Sequence, residues 1–211
     1  GEVSNTGIEV GFNINPIRPA EADGFRWDVT GQYTINENIV VDNGDAPGSQ
    51  TIFAGFTNLG NAAISGEAYG VIVGTSIARD DNGNLIVGSD GNYLLNQEPT
   101  IIGDPNADWR ATMINQFSFK NFTFSAQVEY THGGDIYSTT AAALLSRGLT
   151  TDTDFDRTQT FILPGVTTNG DPNRVQIAGT DVGFVNSGFF IDEQAVYDAS
   201  TIRLREISLG Y

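Results

Sequence analysis

The 211-residue chain has no cysteine, one histidine and one methionine. Without cysteine there is no disulfide framework, no thiolate metal site and no thiol nucleophile. Basic residues are also scarce: 10 Lys and Arg stand against 26 Asp and Glu, a formal net charge of -16. A chain this acidic, with no basic run, is a poor match for a phosphate backbone, so nucleic acid is not an expected partner. No stretch approaches the ~18 consecutive apolar residues that a membrane-spanning helix needs. What the chain does have is a hydrophobic fraction of 39% and an aromatic fraction of 10%. That is too much apolar material for a wholly disordered acidic polymer.

The apolar residues alternate with polar ones. Ile8, Val10, Phe12 and Ile14 share one parity, and Glu9, Gly11, Asn13 and Asn15 the other. Period two means a strand with one apolar and one polar face. Residues 25–36 repeat the pattern, with Phe25, Trp27, Val29, Tyr33 and Ile35 on the apolar side, and so do residues 122–131, with Phe122, Phe124, Ala126, Val128 and Tyr130. Residues 109–119 are less clean, because Ile114 falls on the polar parity and Asn115 on the apolar one. Lys120 and Asn121 form a two-residue hairpin turn by length and composition. In residues 201–211 the phase breaks: Ile202 and Leu204 share one parity, Ile207, Leu209 and Tyr211 the other. A β-bulge near Arg205 and Glu206 restores a single apolar face, since one extra residue flips the parity. Two weaker strands are expected over 67–77 and 84–95, joined by a turn with Gly83 at positive φ. This makes about seven strands, an all-β, antiparallel chain.

Several strands reach about ten residues, against a usual ~5–6 in globular proteins and ~9–11 for a tilted membrane-spanning strand. The connections alternate between short ones and long loops at 41–66 and 133–199. Transmembrane barrels combine short turns on one side with long loops on the other. Phe117, Phe119, Phe122 and Phe124 crowd one tight turn, as an interfacial aromatic girdle would. A soluble β-sandwich also alternates, so both architectures stay open on pattern alone. Within the second long loop, residues 138–147 suit a short helix closed by Gly148. The acidic residues lie mostly outside the clear strands, and 11 of the 26 fall in the two long loops.

Few residues suggest a chemical site. His132 has no second His or Cys to join it, so it reads as a polar strand end rather than a catalyst or metal ligand. Asp80-Asp81-Asn82-Gly83-Asn84 and Ser89-Asp90-Gly91-Asn92 invite calcium, but without EF-hand spacing they read first as turn formers. Asp152, Asp154 and Asp156 are candidate substrate or cation contacts and, more simply, a solvated charge run. Arg203, Arg205 and Glu206 form a candidate lumen-facing or substrate-contacting cluster. Phe12, Trp27, Phe117, Phe119, Phe122, Phe124, Val128 and Tyr130 are the candidate girdle or lipid-facing residues. No catalytic constellation and no phosphate-binding loop is present in the sequence.

Six segments resemble the SusC/RagA-like, TonB-linked outer-membrane transporters. Asn5-Thr6-Gly7-Ile8-Glu9-Val10 resembles a strand opening of that family. Gly103-Asp104-Pro105-Asn106-Ala107-Asp108-Trp109 is similar to its turn before a barrel strand, with Ala107 in place of the usual proline. Phe117-Ser118-Phe119-Lys120-Asn121-Phe122-Thr123-Phe124-Ser125 resembles its strand–turn–strand segment, and Gly133-Gly134-Asp135-Ile136-Tyr137-Ser138 a run that follows it. Leu163-Pro164-Gly165-Val166 with Gly170-Asp171-Pro172-Asn173 resembles an outer-loop motif. The most specific match is the run from Asp198 through Ile202-Arg203-Leu204-Arg205-Glu206-Ile207 to Tyr211, which departs only at Thr201, where an aromatic is usual.

The resemblance covers nearly the whole chain and implies the late part of a 22-stranded transmembrane outer-membrane β-barrel with a plugged lumen. Residues 1–211 would then be a partial barrel domain, a fragment of a longer polypeptide. It implies energy-coupled import of oligosaccharides or peptides across the outer membrane of a Gram-negative bacterium, with no enzymatic activity. It also implies the partners: the rest of the barrel and plug, a SusD-like surface lipoprotein, TonB through an N-terminal region absent here, and the lipid bilayer. No cofactor is implied, calcium being the one candidate. The alternative is a soluble β-sandwich glycan-binding module, with Trp27 and Trp109 as stacking platforms.

Overall fold

In the computed structural model, residues 1–21, 23–46, 48–56 and 58–211 are described, with all their side chains except that of Phe184. In chain order the strands begin with β1 (Glu2–Ile17), β2 (Arg26–Asp42), β3 (Thr51–Phe56), β4 (Leu59–Ala63) and β5 (Val71–Gly74). Next come β6 (Ile86–Val87), β7 (Thr100–Gly103), β8 (Trp109–Phe119), β9 (Phe122–His132) and β10 (Asp135–Tyr137), then helix α1 (Thr139–Ser146). The remainder are β11 (Thr160–Phe161), β12 (Val166–Thr167), β13 (Ile177–Ala178), helix α2 (Gly179–Phe184), β14 (Val196–Asp198) and β15 (Thr201–Gly210).

Five long strands form one antiparallel sheet in the order β1-β2-β8-β9-β15. Each pairs with its neighbour in sequence, so the sheet is a meander interrupted by two insertions. At one end the connections are residues 18–25 and the pair Lys120 and Asn121; at the other they are residues 43–108 and 133–200. Phe119 pairs with Phe122, so the hairpin turn has two residues. Lys120 takes φ 53°, as the first central residue of a tight hairpin turn often must. The phase break in β15 is a bulge: Leu204 pairs with Val128 and Glu206 with Gln127, leaving Arg205 as the extra residue.

Five strands rather than about seven make this sheet. Segments 67–77 and 84–95 lie outside it, in the layer built by the long insertions. The physical reason is burial. Val71, Ile72 and Val73 are consecutive and all buried, so β5 has no polar face to turn to water or a channel. It pairs instead in a four-stranded sheet, β3-β4-β5-β7. Residues 84–95 contribute only β6 and isolated bridges, among them Arg79 with Leu85 and Val87 with Tyr93. Gly83 does take positive φ, and Asp80 accepts from the amides of Asn82 and Asn84 to hold that turn. The loop expected at 41–66 contains the β3–β4 hairpin; its Pro47 and Thr57 lie outside the described residues. Helix α1 forms as expected, with the Ser138 hydroxyl accepting from the Ala141 amide and Gly148 at φ 68° beyond its end.

Burial is inverted relative to a soluble protein. The hydrophobic clusters sit in the insertion layer: Ala62, Ile64, Val71 and Val73 form one, and Val87, Leu163 and Ile177 another. The long sheet instead leaves its large apolar side chains in the open, with Ile8 62%, Ile202 76% and Leu209 78% exposed. Within it, Gly31 lies opposite Phe12, whose ring occupies the space a Cβ would need. Glycine here lets an aromatic from the next strand lie flat over the backbone. Gly31→Val should therefore lower stability in equilibrium unfolding by about 1–3 kcal/mol through overpacking. In Phe12→Ala the same substitution should be milder, because the ring it displaces is gone.

Candidate functional site

The register builds one face five strands wide. Ile14 pairs with Val29, which pairs with Asn115, which pairs with Ala126, which pairs with Ile207. The neighbouring row runs Phe12, Gly31, Met113, Val128 and Leu204. The polar residue in this face is satisfied locally, since Asn115 accepts a hydrogen bond from the Trp27 indole at 3.1 Å. Among the described residues no second sheet packs on this face, and Phe12, Ile14, Met113 and Leu204 are all exposed. A β-sandwich buries such a face against its second sheet, so the sandwich reading loses its defining contact.

Two aromatic bands bound the face. Near the end with long insertions, Trp109 contacts Tyr33, Tyr130 and His132 at centroid distances of 5.6, 4.9 and 5.3 Å. Near the tight turns, Phe117 stacks with Phe25, Trp27 and Phe124, and Phe122 contacts Tyr211 at 4.9 Å. Trp109 and Phe119 mark the two ends of β8, about ten residues apart. At ~3.4 Å per residue and a ~45° tilt that spacing is ~24 Å in height. The apolar band of an outer-membrane barrel is ~25 Å tall. All eight girdle or lipid-facing candidates, Phe12, Trp27, Phe117, Phe119, Phe122, Phe124, Val128 and Tyr130, fall on this face by register. Tyr33 and His132 join them by register, and Tyr211 by its ring contact with Phe122.

The opposite face is polar and carries a charge cluster. Glu129 pairs across the sheet with Thr112 on one side and Arg203 on the other. Arg205, the bulged residue, donates to the Glu129 carboxylate at 2.6 Å. Arg110 is in the next row, opposite Thr131. Arg110, Glu129, Thr131, Arg203 and Arg205 line a hollow of about 320 Å³ with Thr201, Gly133 and Pro105. Of the sequence-derived cluster, Arg203 and Arg205 come together here, while Glu206 is displaced one position to face Gln127. Sequence reasoning missed Arg110 and Glu129; only the strand register brings them beside the arginines.

Asp152, Asp154 and Asp156 do not converge. Asp152 lies in a turn at Thr151–Thr153, and Asp156 accepts from the amide and hydroxyl of Thr158. Those hydrogen bonds hold the Asp156 carboxyl below its ordinary pKa. The Asp80 and Asp90 carboxylates are likewise engaged by Asn84 and Asn92 in their own turns, and their pKa values fall for the same reason. Among the described residues no three His, Asp or Glu side chains gather as a metal-holding group. His132 has Asp108 at 3.8 Å from its Nε2 and the Tyr130 hydroxyl at 3.3 Å from its Nδ1, at the sheet's end.

The insertions are tied to each other by a buried carboxylate. Asp192 accepts from the Thr75 amide at 2.9 Å and from the Tyr137 hydroxyl at 3.3 Å. Next to it, Glu193 accepts from the Ile77 amide and pairs with Arg79 at 3.1 Å. This fastens residues 192–193 of the second insertion to residues 75–79 of the first. Burial, then the Asp192 charge and hydrogen bond, push the Tyr137 phenol up to about 12. Because the folded phenol holds its proton more tightly than a free tyrosine near pH 10, this contact is intact below ~10 and is lost as pH rises towards 12. An ultraviolet titration should show a phenol ionising near 12 that is absent in Tyr137→Phe, with the insertions loosening over that window.

No family model matches the chain. TonB-dependent receptor P3 of Formosa agariphila is 27% identical over 233 aligned residues, which take in 100% of this chain and 22% of that protein. TonB-dependent receptor P39 of the same organism is 25% identical over 189 residues, covering 65% of this chain and 17% of the relative. The structure of the RagAB peptide transporter superposes with a TM-score of 0.56 at 13% identity, over 98% of this chain and 22% of that one. The chain thus resembles TonB-dependent receptors and has the fold of part of the RagAB transporter structure. It spans about a fifth of the length of the proteins it matches.

Proposed function

We propose that this chain is a barrel segment of a TonB-dependent outer-membrane transporter of the SusC/RagA kind. The observation that carries this reading is the uncovered apolar face, five strands wide and bounded by two aromatic bands about one membrane apart. That face meets lipid. The polar face, with Arg110, Glu129, Arg203 and Arg205, lines the lumen. Among the described residues, β1 and β15 each pair on one side only. In hydrocarbon an unpaired strand edge is untenable, so further strands of a closed 22-stranded barrel pair with both.

The tight-turn end faces the periplasm and the insertions face the cell exterior. Residues 43–108 and 133–200 hold 17 of the 26 acidic residues and 4 of the 10 basic ones. The net charge of -16 is therefore chiefly a property of the outer surface. On this reading the parent protein imports oligosaccharides or peptides and performs no catalysis. A SusD-like lipoprotein sits over the insertions, a plug fills the lumen, and TonB supplies the energy. Cargo of the peptide kind has support from the RagAB peptide transporter, part of whose fold this chain shares.

Two experiments test this. In the complete polypeptide folded into vesicles, Phe12→Arg or Val128→Arg should cost about 2–4 kcal/mol, with Gln127→Arg far milder. Equal costs on both faces would overturn the lipid-facing assignment. In cells, uptake of a labelled oligosaccharide or peptide by the complete protein should vanish when TonB is deleted; uptake that persists would remove the energy-coupled reading.

A further inference from the structure

The polar face has more positive charge at one point than its own carboxylates neutralise. Arg110, Arg203 and Arg205 surround a single carboxylate, Glu129. Arg205 takes it, at 2.6 Å. Arg203 is the direct cross-strand partner of Glu129, and Arg110 is diagonal to it. Both are within reach of its field, yet among the described residues neither forms a hydrogen bond or ion pair. Two guanidiniums thus face a hollow of about 320 Å³ without a counter-ion, in a chain of net charge -16.

Strand register causes this. Arg203 and Arg205 share the polar parity, and the bulge turns Glu206 to the same side, opposite Gln127. Arg205 takes the Glu129 carboxylate, and Arg203 makes no hydrogen bond to it. The hollow is otherwise lined by small residues and hydroxyls: Ala107, Gly133, Ala199, Thr131 and Thr201. Glu129 is about three residues, or ~10 Å along the strand, from the β9 end that carries the insertions. The acidic insertions are screened beyond ~8 Å at physiological salt, which leaves the arginines a local positive site just inside the outer mouth.

We infer that Arg110 and Arg203 form a binding site for an oxyanion, a carboxylate or sulfate carried by the transported solute. Planar guanidiniums suit such groups, each offering two parallel N–H donors. A hollow near the lower limit of ligand pockets holds one charged unit of an oligomer rather than the whole. The site rests on the lumen-wall reading proposed above. Its competitor is internal: a carboxylate from another part of the complete protein, such as the plug, filling the same place.

The test uses the complete polypeptide in vesicles, labelled with phenylglyoxal and mapped by peptide mass spectrometry. Arg110 and Arg203 should label readily, and Arg205 slowly while Glu129 holds it. Inorganic sulfate or galacturonate should slow labelling of Arg110 and Arg203 by about tenfold, the worth of one charge-assisted hydrogen bond. Potassium chloride at equal ionic strength, and neutral galactose, should not. Glu129→Gln should make Arg205 label as readily as the other two. Arginines that resist labelling without added anion would assign the place to an internal carboxylate and overturn the proposal. Labelling that sulfate and galacturonate leave unchanged would overturn it equally. A lipid-exposed spin label at Val128 in the same sample separates these failures from failure of the barrel reading itself.

Discussion

On the proposed barrel reading, backbone pairing in a medium that supplies no hydrogen bonds is the constraint on which the rest of this structure depends. A strand that meets hydrocarbon has to place every N–H and C=O in a ladder, and it has to turn apolar side chains outward. The five long strands obey both rules. Their ladders are continuous from β1 to β15, and their outward row is Ile, Val, Phe, Met and Leu with little relief. The ordinary logic of a folded protein is then confined to the insertions. There, burial makes small cores around Val73 and Val87, and Asp192 is buried only because Thr75 and Tyr137 satisfy it.

The same constraint explains why one irregular residue matters. A single extra residue in β15 keeps Leu204 and Ile207 on one face although they differ in parity. It also turns Glu206 to the polar side opposite Gln127, next to Arg205, which holds the Glu129 carboxylate. Asn115 is a second compensation of this kind: a polar residue on the apolar face, held by the Trp27 indole.

Much of this was legible in the sequence where the pattern is local. Alternation located β1, β2, β8 and β9, the parity break in 201–211 announced the bulge, and Ser138 with Gly148 marked both ends of α1. Segments 67–77 and 84–95 were misleading because short apolar runs look alike whether one face or both are buried. Val71-Ile72-Val73 is buried on both. The charge cluster was half legible. Arg203 and Arg205 are neighbours in sequence, but Arg110 and Glu129 enter only through register, which depends on how three strands align. Nothing in Asp152, Asp154 and Asp156 distinguished a binding run from turn formers, and the structure leaves them separate, with Asp156 closing its own turn on Thr158.

The central claim is that the outward face of this sheet meets lipid while its other face meets water. Spin labels placed singly along residues 122–132 of the complete protein in vesicles address it most directly. Collision with oxygen should peak at Phe124, Ala126 and Val128, and collision with a water-soluble nickel chelate at Ser125, Gln127 and Glu129, in strict alternation. Equal accessibility to the chelate at both parities would contradict the account.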